Sequence, residues 1–265
     1  MRIIFRAMAD AYEDIDVSVK DDIAVLTLRR PEVRNALRHQ TFAEIEDAVL
    51  GCTARVLIIT GEDPAFCSGD DVRAIMGSGE PRPRLRRTPR LTPAADALLF
   101  SDIPVIAAVN GAAVGWGMEL ALMADFRVAS ERARFGELFV LRGLVSDPAG
   151  LGRLAQLVGR EKAAELLMTG DMIDAPEALR IGLVGRLVPH DSLLDEAHTL
   201  AARIAGNPPL AVQAIKDGLR RALDPDWASL GRWVSETLDR LFDTDDHREG
   251  VRSFLEKREP KFQGR

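Results

Sequence analysis

Residues 105–125 leave this chain few ways to fold: Val-Ile-Ala-Ala-Val-Asn-Gly-Ala-Ala-Val-Gly-Trp-Gly-Met-Glu-Leu-Ala-Leu-Met-Ala-Asp. The apolar run 105–109 reads as a strand buried on both faces. Gly111, Gly115 and Gly117 follow, and then a helix begins. Glycine lets the backbone take unusual angles and approach a ligand closely. The new helix turns its first, unsatisfied N–H groups toward whatever lies at its mouth, and its dipole favours negative charge there. Strand, glycine turn and helix start together make a place to stabilise an oxyanion. Glu119 falls in the first turn of that helix, within reach for proton chemistry.

The rest of the chain supplies a large mixed fold around this stretch. Residues 15–29 read as a hairpin turning at Asp21 and Asp22, with its second strand at 23–28. Arg30 and Pro31 break it. Residues 41–50 carry helical periodicity through Phe42, Ile45, Ala48 and Val49. Residues 55–60 form a short buried strand, followed by a loop at 61–69 and a short helix at 70–76. Residues 77–92 differ in kind, with three prolines and five arginines. Such a segment buries little and reads as a solvated loop, or as a flap that touches an anion. Helix returns at 93–100, and short strands follow at 126–129 and 133–136. Helices are expected at 150–158, 160–168 and 175–182, a strand at 184–188, and long helices over the last 75 residues or so. Strand–strand–helix units recur without a sequence repeat, which predicts stacked turns of sheet with helices outside.

Composition narrows the function. A chain of 265 residues with 46% hydrophobic and 29% charged residues suits one large domain, or one with an appendage. A net charge of −6 gives no reason to expect nucleic acid. Two cysteines, Cys52 and Cys67, lack disulfide or metal-ligand patterning and fit a reducing compartment, so a cytoplasmic protein is expected. No apolar run is long enough for a membrane span, nor is residues 1–10 a signal peptide. Gly-x-x-x-x-Gly-Lys, Gly-x-Gly-x-x-Gly after a strand, and Gly-x-Ser-x-Gly are all absent, which sets aside nucleotide-binding and serine-hydrolase readings. A catalytically silent binding or scaffold protein is the rival outside catalysis.

Six segments in order resemble the crotonase superfamily, the enoyl-CoA hydratase/isomerase family. They are residues 30–37 (Arg-Pro-Glu-Val-Arg-Asn-Ala-Leu), 59–72 (Ile-Thr-Gly-Glu-Asp-Pro-Ala-Phe-Cys-Ser-Gly-Asp-Asp-Val), 109–121, 133–136, 143–150 and 254–262. The resemblance implies an α/β crotonase-like spiral of ββα units with a C-terminal helical region. Residues 1–195 would form the core with an acyl-CoA site, and residues 196–265 a trimerisation or lid region. It implies an acyl-CoA substrate, no metal or other cofactor, and a homotrimer or a hexamer built from two trimers.

The resemblance also implies site residues. The backbone N–H groups of Asp70 and Trp116 would hold the thioester carbonyl and the enolate formed beside it, each worth about 3 kcal/mol. Arg34, Ala36, Ser68, Gly69, Asp71, Gly115, Phe139, Lys257 and Lys261 would contact substrate or CoA. Hydratases of the family use two glutamates. One matches Glu119, but the other falls at Phe139, which transfers no protons. Asp147, where some isomerases and hydrolases of the family place an aspartate, is the alternative partner. The residues themselves leave two further readings open. Asp147 before Pro148 also suits a helix N-cap. Glu137 lies close by, but strand alternation would point it away from the position of Phe139. Double-bond isomerisation is therefore the expected chemistry, with hydration as the alternative.

Overall fold

The computed structural model describes residues 12–75 and 91–265. The first ten residues, and all of segment 77–92 but Leu91 and Thr92, lie outside them.

Apolar runs too short to span a domain pair side by side here and wind into a spiral. Strands β1 (Ile15–Lys20) and β2 (Ile23–Leu28) make an antiparallel hairpin. Its turn residues Asp21 and Asp22 take positive φ, which aspartate tolerates better than most residues. From β3 to β8 each turn of the chain leaves one strand in each of two sheets. Strand β3 (Val56–Gly61) leads to β4 (Ala65–Cys67), β5 (Val105–Val109) to β6 (Ala112–Val114), and β7 (Phe126–Ser130) to β8 (Arg134–Gly136). With β9 (Ile173–Asp174) and β10 (Arg186–Val188), the sheets order as β1-β2-β3-β5-β7-β10 and β4-β6-β8-β9. Beyond the hairpin the first sheet is parallel, with Ile59 beside both Leu26 and Ala107. Every residue of β3 and β5 is buried, as their unbroken apolar runs require.

Helices cover both faces. These are α1 (His39–Leu50), α2 (Val72–Ile75), α3 (Pro93–Leu99), α4 (Trp116–Met123), α5 (Pro148–Val158), α6 (Arg160–Thr169) and α7 (Ala175–Arg180). Then come α8 (Leu193–Ala205), α9 (Pro209–Leu223), α10 (Trp227–Phe242) and α11 (Asp245–Glu256). All eight residues of α4 are buried, Glu119 among them, which makes it the central post of the core. Each fully buried Leu or Met there contributes roughly 1.5–3 kcal/mol. The opposite face of the large sheet is closed by Leu193, Ala197 and Ala201 of α8, which pack on Ile23, Val56, Ile58, Ile106, Ala108 and Val128. Helix α8 therefore runs through residues 195 and 196, where a division was expected, because its apolar face belongs to the sheet. Among the described residues, no helix is long and apolar enough to cross a membrane.

Two element boundaries matter for the site. Helix α5 begins at Pro148 rather than Gly150, since proline's fixed φ and missing N–H suit a first helical position. Residues 138–142 form a 3-10 turn rather than continuing β8. Helix α11 packs against that turn so tightly that a Cβ on Gly250 would lie 2.7 Å from the Arg142 Cα.

Candidate active site

Two loops meet at the C-terminal ends of β4 and β6. The first runs from β4 through Ser68, Gly69, Asp70 and Asp71 into α2. Gly69 has φ +84°, a conformation that side chains rarely adopt, and a Cβ there would lie 2.7 Å from the Val114 carbonyl oxygen. The early loop 30–37 is sewn to it. Leu37 N–H donates to Gly69 O and Asp71 N–H to Leu37 O, both at 2.8 Å, and Ser68 N–H donates to Arg34 O at 3.0 Å. Arg30 clamps the pair, donating to Ala36 O at 2.6 Å and to the Asp71 carboxylate at 3.2 Å. Behind Arg30 the buried Asp14 also accepts from Arg38 and Thr41.

The second loop is the glycine turn from β6 into α4. Gly115 N–H donates to Gly136 O at 2.8 Å, and Trp116 begins the helix. Its N–H belongs to the first turn, where no intrahelical acceptor exists. Gly117 rests on the first loop, since a Cβ there would lie 2.1 Å from the Cys67 carbonyl oxygen. The two loops thus touch through backbone. The Trp116 ring packs edge-on against Phe42, with ring centroids 4.7 Å apart.

A cleft of about 320 Å³ opens between the loops. Of the residues expected to bind substrate, Arg34, Ala36, Ser68, Gly69, Asp70, Asp71, Gly115, Trp116 and Phe139 line it. Lys257 and Lys261 do not. Lys257 caps α11 in a left-handed conformation, and both are exposed. Phe254, one helical turn earlier, lines the cleft in their stead. Leu138, Arg142 and Leu144 also line it, and nothing in their spacing marked them in the sequence.

Three carboxyls gather beside the cleft. Glu119 is 1% exposed, and its two oxygens accept from Gly150 N–H at 2.9 and 3.0 Å, at the start of α5. Its carboxyl is held well above the ordinary range, first by burial and then by the charges of Glu137 and Asp147, against the opposing pull of the Gly150 and Ala149 N–H groups. Glu137 does not point away as strand alternation suggested. The strand ends at Gly136, the 3-10 turn begins at Leu138, and the side chain between them turns inward. It is fully buried, and neither oxygen accepts a hydrogen bond of ordinary length. Gly150 measures its closeness to Glu119: a Cβ there would lie 2.5 Å from the Glu119 Oε1 and 3.2 Å from the Glu137 carboxyl. Burial raises the Glu137 carboxyl too, although the Ser146 hydroxyl favours ionisation.

Asp147 is the N-cap residue of α5 by position, yet its side chain makes no capping hydrogen bond. The Trp116 side chain, whose only donor is the indole N–H, lies near it and favours its ionisation. Burial, and then the Asp70 charge, push its carboxyl up to about 7 against that influence. A group near neutrality serves equally as proton donor and acceptor. Helix-start N–H groups, a cleft and three carboxyls reluctant to ionise can together hold a developing oxyanion and move protons on the carbons next to it.

Comparison with known proteins agrees. The model of a family described as "Enoyl-CoA hydratase/isomerase" matches residues 18–265. The chain is 37% identical over 262 residues to a crotonyl-CoA hydratase of Syntrophomonas wolfei, covering 95% of this chain and 98% of that one. It is 36% identical to a 2,3-dehydroadipyl-CoA hydratase of Escherichia coli, covering 95% and 99%. Among solved structures, an enoyl-CoA hydratase from Mycobacterium avium subsp. paratuberculosis superposes with a TM-score of 0.84 at 27% identity, covering 95% and 99%.

Proposed function

Because the chain belongs to the enoyl-CoA hydratase/isomerase family, we propose that it adds water across the conjugated double bond of a 2-enoyl-CoA. The Asp70 and Trp116 N–H groups face the thioester carbonyl and stabilise the enolate. Glu119 takes a proton from water as the water oxygen bonds to the β-carbon. Asp147, protonated, gives its proton to the α-carbon as the enolate collapses. The proton on Glu119 then returns to Asp147 through solvent, and both groups are reset. Glu137 acts through Glu119, holding its proton affinity high. The carboxyls and the backbone are enough for this chemistry, with CoA arriving as part of the substrate.

The observation that carries this reading is the second acid. The glutamate missing at Phe139 is made good by Asp147, which is freed from capping its helix and lies near Trp116. The hydratases among the relatives support the same reaction. Phe139 itself favours a second reading, double-bond isomerisation, because an apolar ring at that place gives a water nothing to bond to. Incubation with crotonyl-CoA and with its 3-enoyl isomer, followed by mass spectrometry, separates the two. A gain of one water supports hydration. Unchanged mass with conjugation appearing from the 3-enoyl thioester would replace hydration by isomerisation.

We also propose a homotrimer or a pair of trimers. Helix α9 buries no residue and presents Leu210, Ile215, Leu219 and Leu223 outward, a stripe that a second copy of the chain would cover. The free cysteines Cys52 and Cys67 suit a cytoplasmic protein.

A further inference from the structure

The lining of the cleft contains a cation that the proposed reaction does not use. Arg142 sits on the 3-10 turn between Glu137 and Asp147. Its neighbours in the cleft wall are Leu138, Phe139, Leu144 and, from α11, Phe254, whose ring lies 4.5 Å from the guanidinium carbon. The position is built. α11 packs against the turn at Gly250, and His247 Nδ1 lies 2.9 Å from the Arg142 carbonyl oxygen. Yet the guanidinium is poorly satisfied. Of its five donors, the only one engaged by a described residue is an Nη1 hydrogen, bonded to Leu138 O at 3.2 Å. Nε is buried without an acceptor. Among the described residues, no carboxylate lies within 4.0 Å of it. Burial lowers its proton affinity, with the Asp70 charge offsetting part of that cost. An arginine left in this condition beside a cleft is costly unless a ligand completes it.

Position decides which part of the ligand that is. In the proposed reaction Asp147, a few residues after Arg142, gives its proton to the α-carbon, so the segment from the turn to the start of α5 faces the acyl group. Arg34 and Arg73 line the cleft from the two loops that precede Trp116, apart from that turn. A plain alkyl chain offers Arg142 nothing.

We propose that Arg142 is a specificity-determining residue that binds an oxygen carried by the acyl chain beyond its reacting carbons, a carboxylate or carbonyl oxygen. The natural substrates are then oxygen-bearing acyl-CoA thioesters rather than simple fatty acyl ones. This rests on the acyl-CoA reading above, and its test is one of binding, independent of turnover.

The experiment measures dissociation constants by calorimetry for glutaryl-CoA against pentanoyl-CoA, adipyl-CoA against hexanoyl-CoA, and free CoA. It uses the full chain and its Arg142→Met and Arg142→Lys variants. In the unmodified protein, at least one carboxyl-bearing thioester should bind about tenfold more tightly than its alkyl counterpart. That ratio should fall toward one in Arg142→Met and be partly kept in Arg142→Lys. Equal affinities in the unmodified protein would overturn the proposal, as would a preference that survives Arg142→Met. Loss of affinity for all five ligands alike in Arg142→Met would also overturn it, by moving the contact to a CoA phosphate. Failure to bind any CoA thioester would overturn both this assignment and the reaction. Binding with the expected preference but no turnover would reject the reaction alone.

Discussion

In the proposed reaction Glu119 and Asp147 divide the work at the level of single side chains, and each has its own signature. Exchange of Glu119 for glutamine preserves shape and the bonds from Gly150 but removes the proton acceptor. Turnover should fall by about 10³-fold with KM changed by less than threefold, as read in steady-state kinetics on crotonyl-CoA. Full activity in Glu119→Gln would remove that residue from the mechanism. Asp147 has the unusual sign for an aspartate. Its folded-state carboxyl titrates near 7 rather than near the ordinary value, so the folded state holds this proton to higher pH than the unfolded chain does. The associated stability is complete below the ordinary carboxylate pKa and is lost as pH rises through about 7. Asp147→Asn should therefore stabilise the protein at pH 8, by on the order of 2 kcal/mol once screening in the cleft is allowed for, or roughly 5 °C in Tm. At pH 4 the variant and the parent should melt together. Thermal scans at both pH values test this, and a gain that does not depend on pH would contradict the assignment.

Helix α5 is the element on which the carboxyls converge, because its first free N–H groups receive Glu119. Alanine at position 150 would gain about 1 kcal/mol of helix propensity. That gain is outweighed, since its Cβ would stand 2.5 Å from the Glu119 Oε1. Gly150→Ala should displace Glu119, lower turnover by about 10²-fold and lower Tm by a few degrees; unimpaired turnover would show that the helix start does not position that base. The same element shows what the sequence could and could not say. The strand, glycine turn and helix of 105–125 were legible because a strand buried on both faces leaves an unbroken apolar run, and helix α4, buried all round, leaves no polar stripe. Asp147 was legible by resemblance, but its freedom from capping was not, since that depends on what lies around its side chain in space. Glu137 was misread because the alternation was miscounted: it lies two residues after the buried Phe135, so a period of two already turns it inward. Arg142 carried no signal at all. A lone arginine in a turn looks solvated until α11, more than a hundred residues later, folds against that turn.

At the scale of the molecule, α9 and the spiral make opposite demands. The spiral closes its own core, while the apolar stripe of α9 stays exposed and would be covered in the proposed assembly by a second copy of the chain. Lysines at positions 215 and 219 should reduce the sedimenting mass from that of an assembly toward 29.0 kDa without unfolding the core. An unmodified protein that already sediments at that mass would refute self-association. The backbone contact between the two loops reaches further still. Gly117 lies on the Cys67 carbonyl with no room for even a methyl group, so the frame proposed to cradle the thioester is fixed by main chain and tolerates almost no drift. The turn at 138–142 is held by α11 through its backbone, but it presents the side chains of Phe139 and Arg142 to the cleft, and Asp147 follows at the approach to α5. Descent with modification would therefore leave its record unevenly. Lineages diverging to new acyl groups would rewrite that one short turn many times over while the cradle passed unchanged between them, and a few substitutions there would suffice to begin a new enzyme.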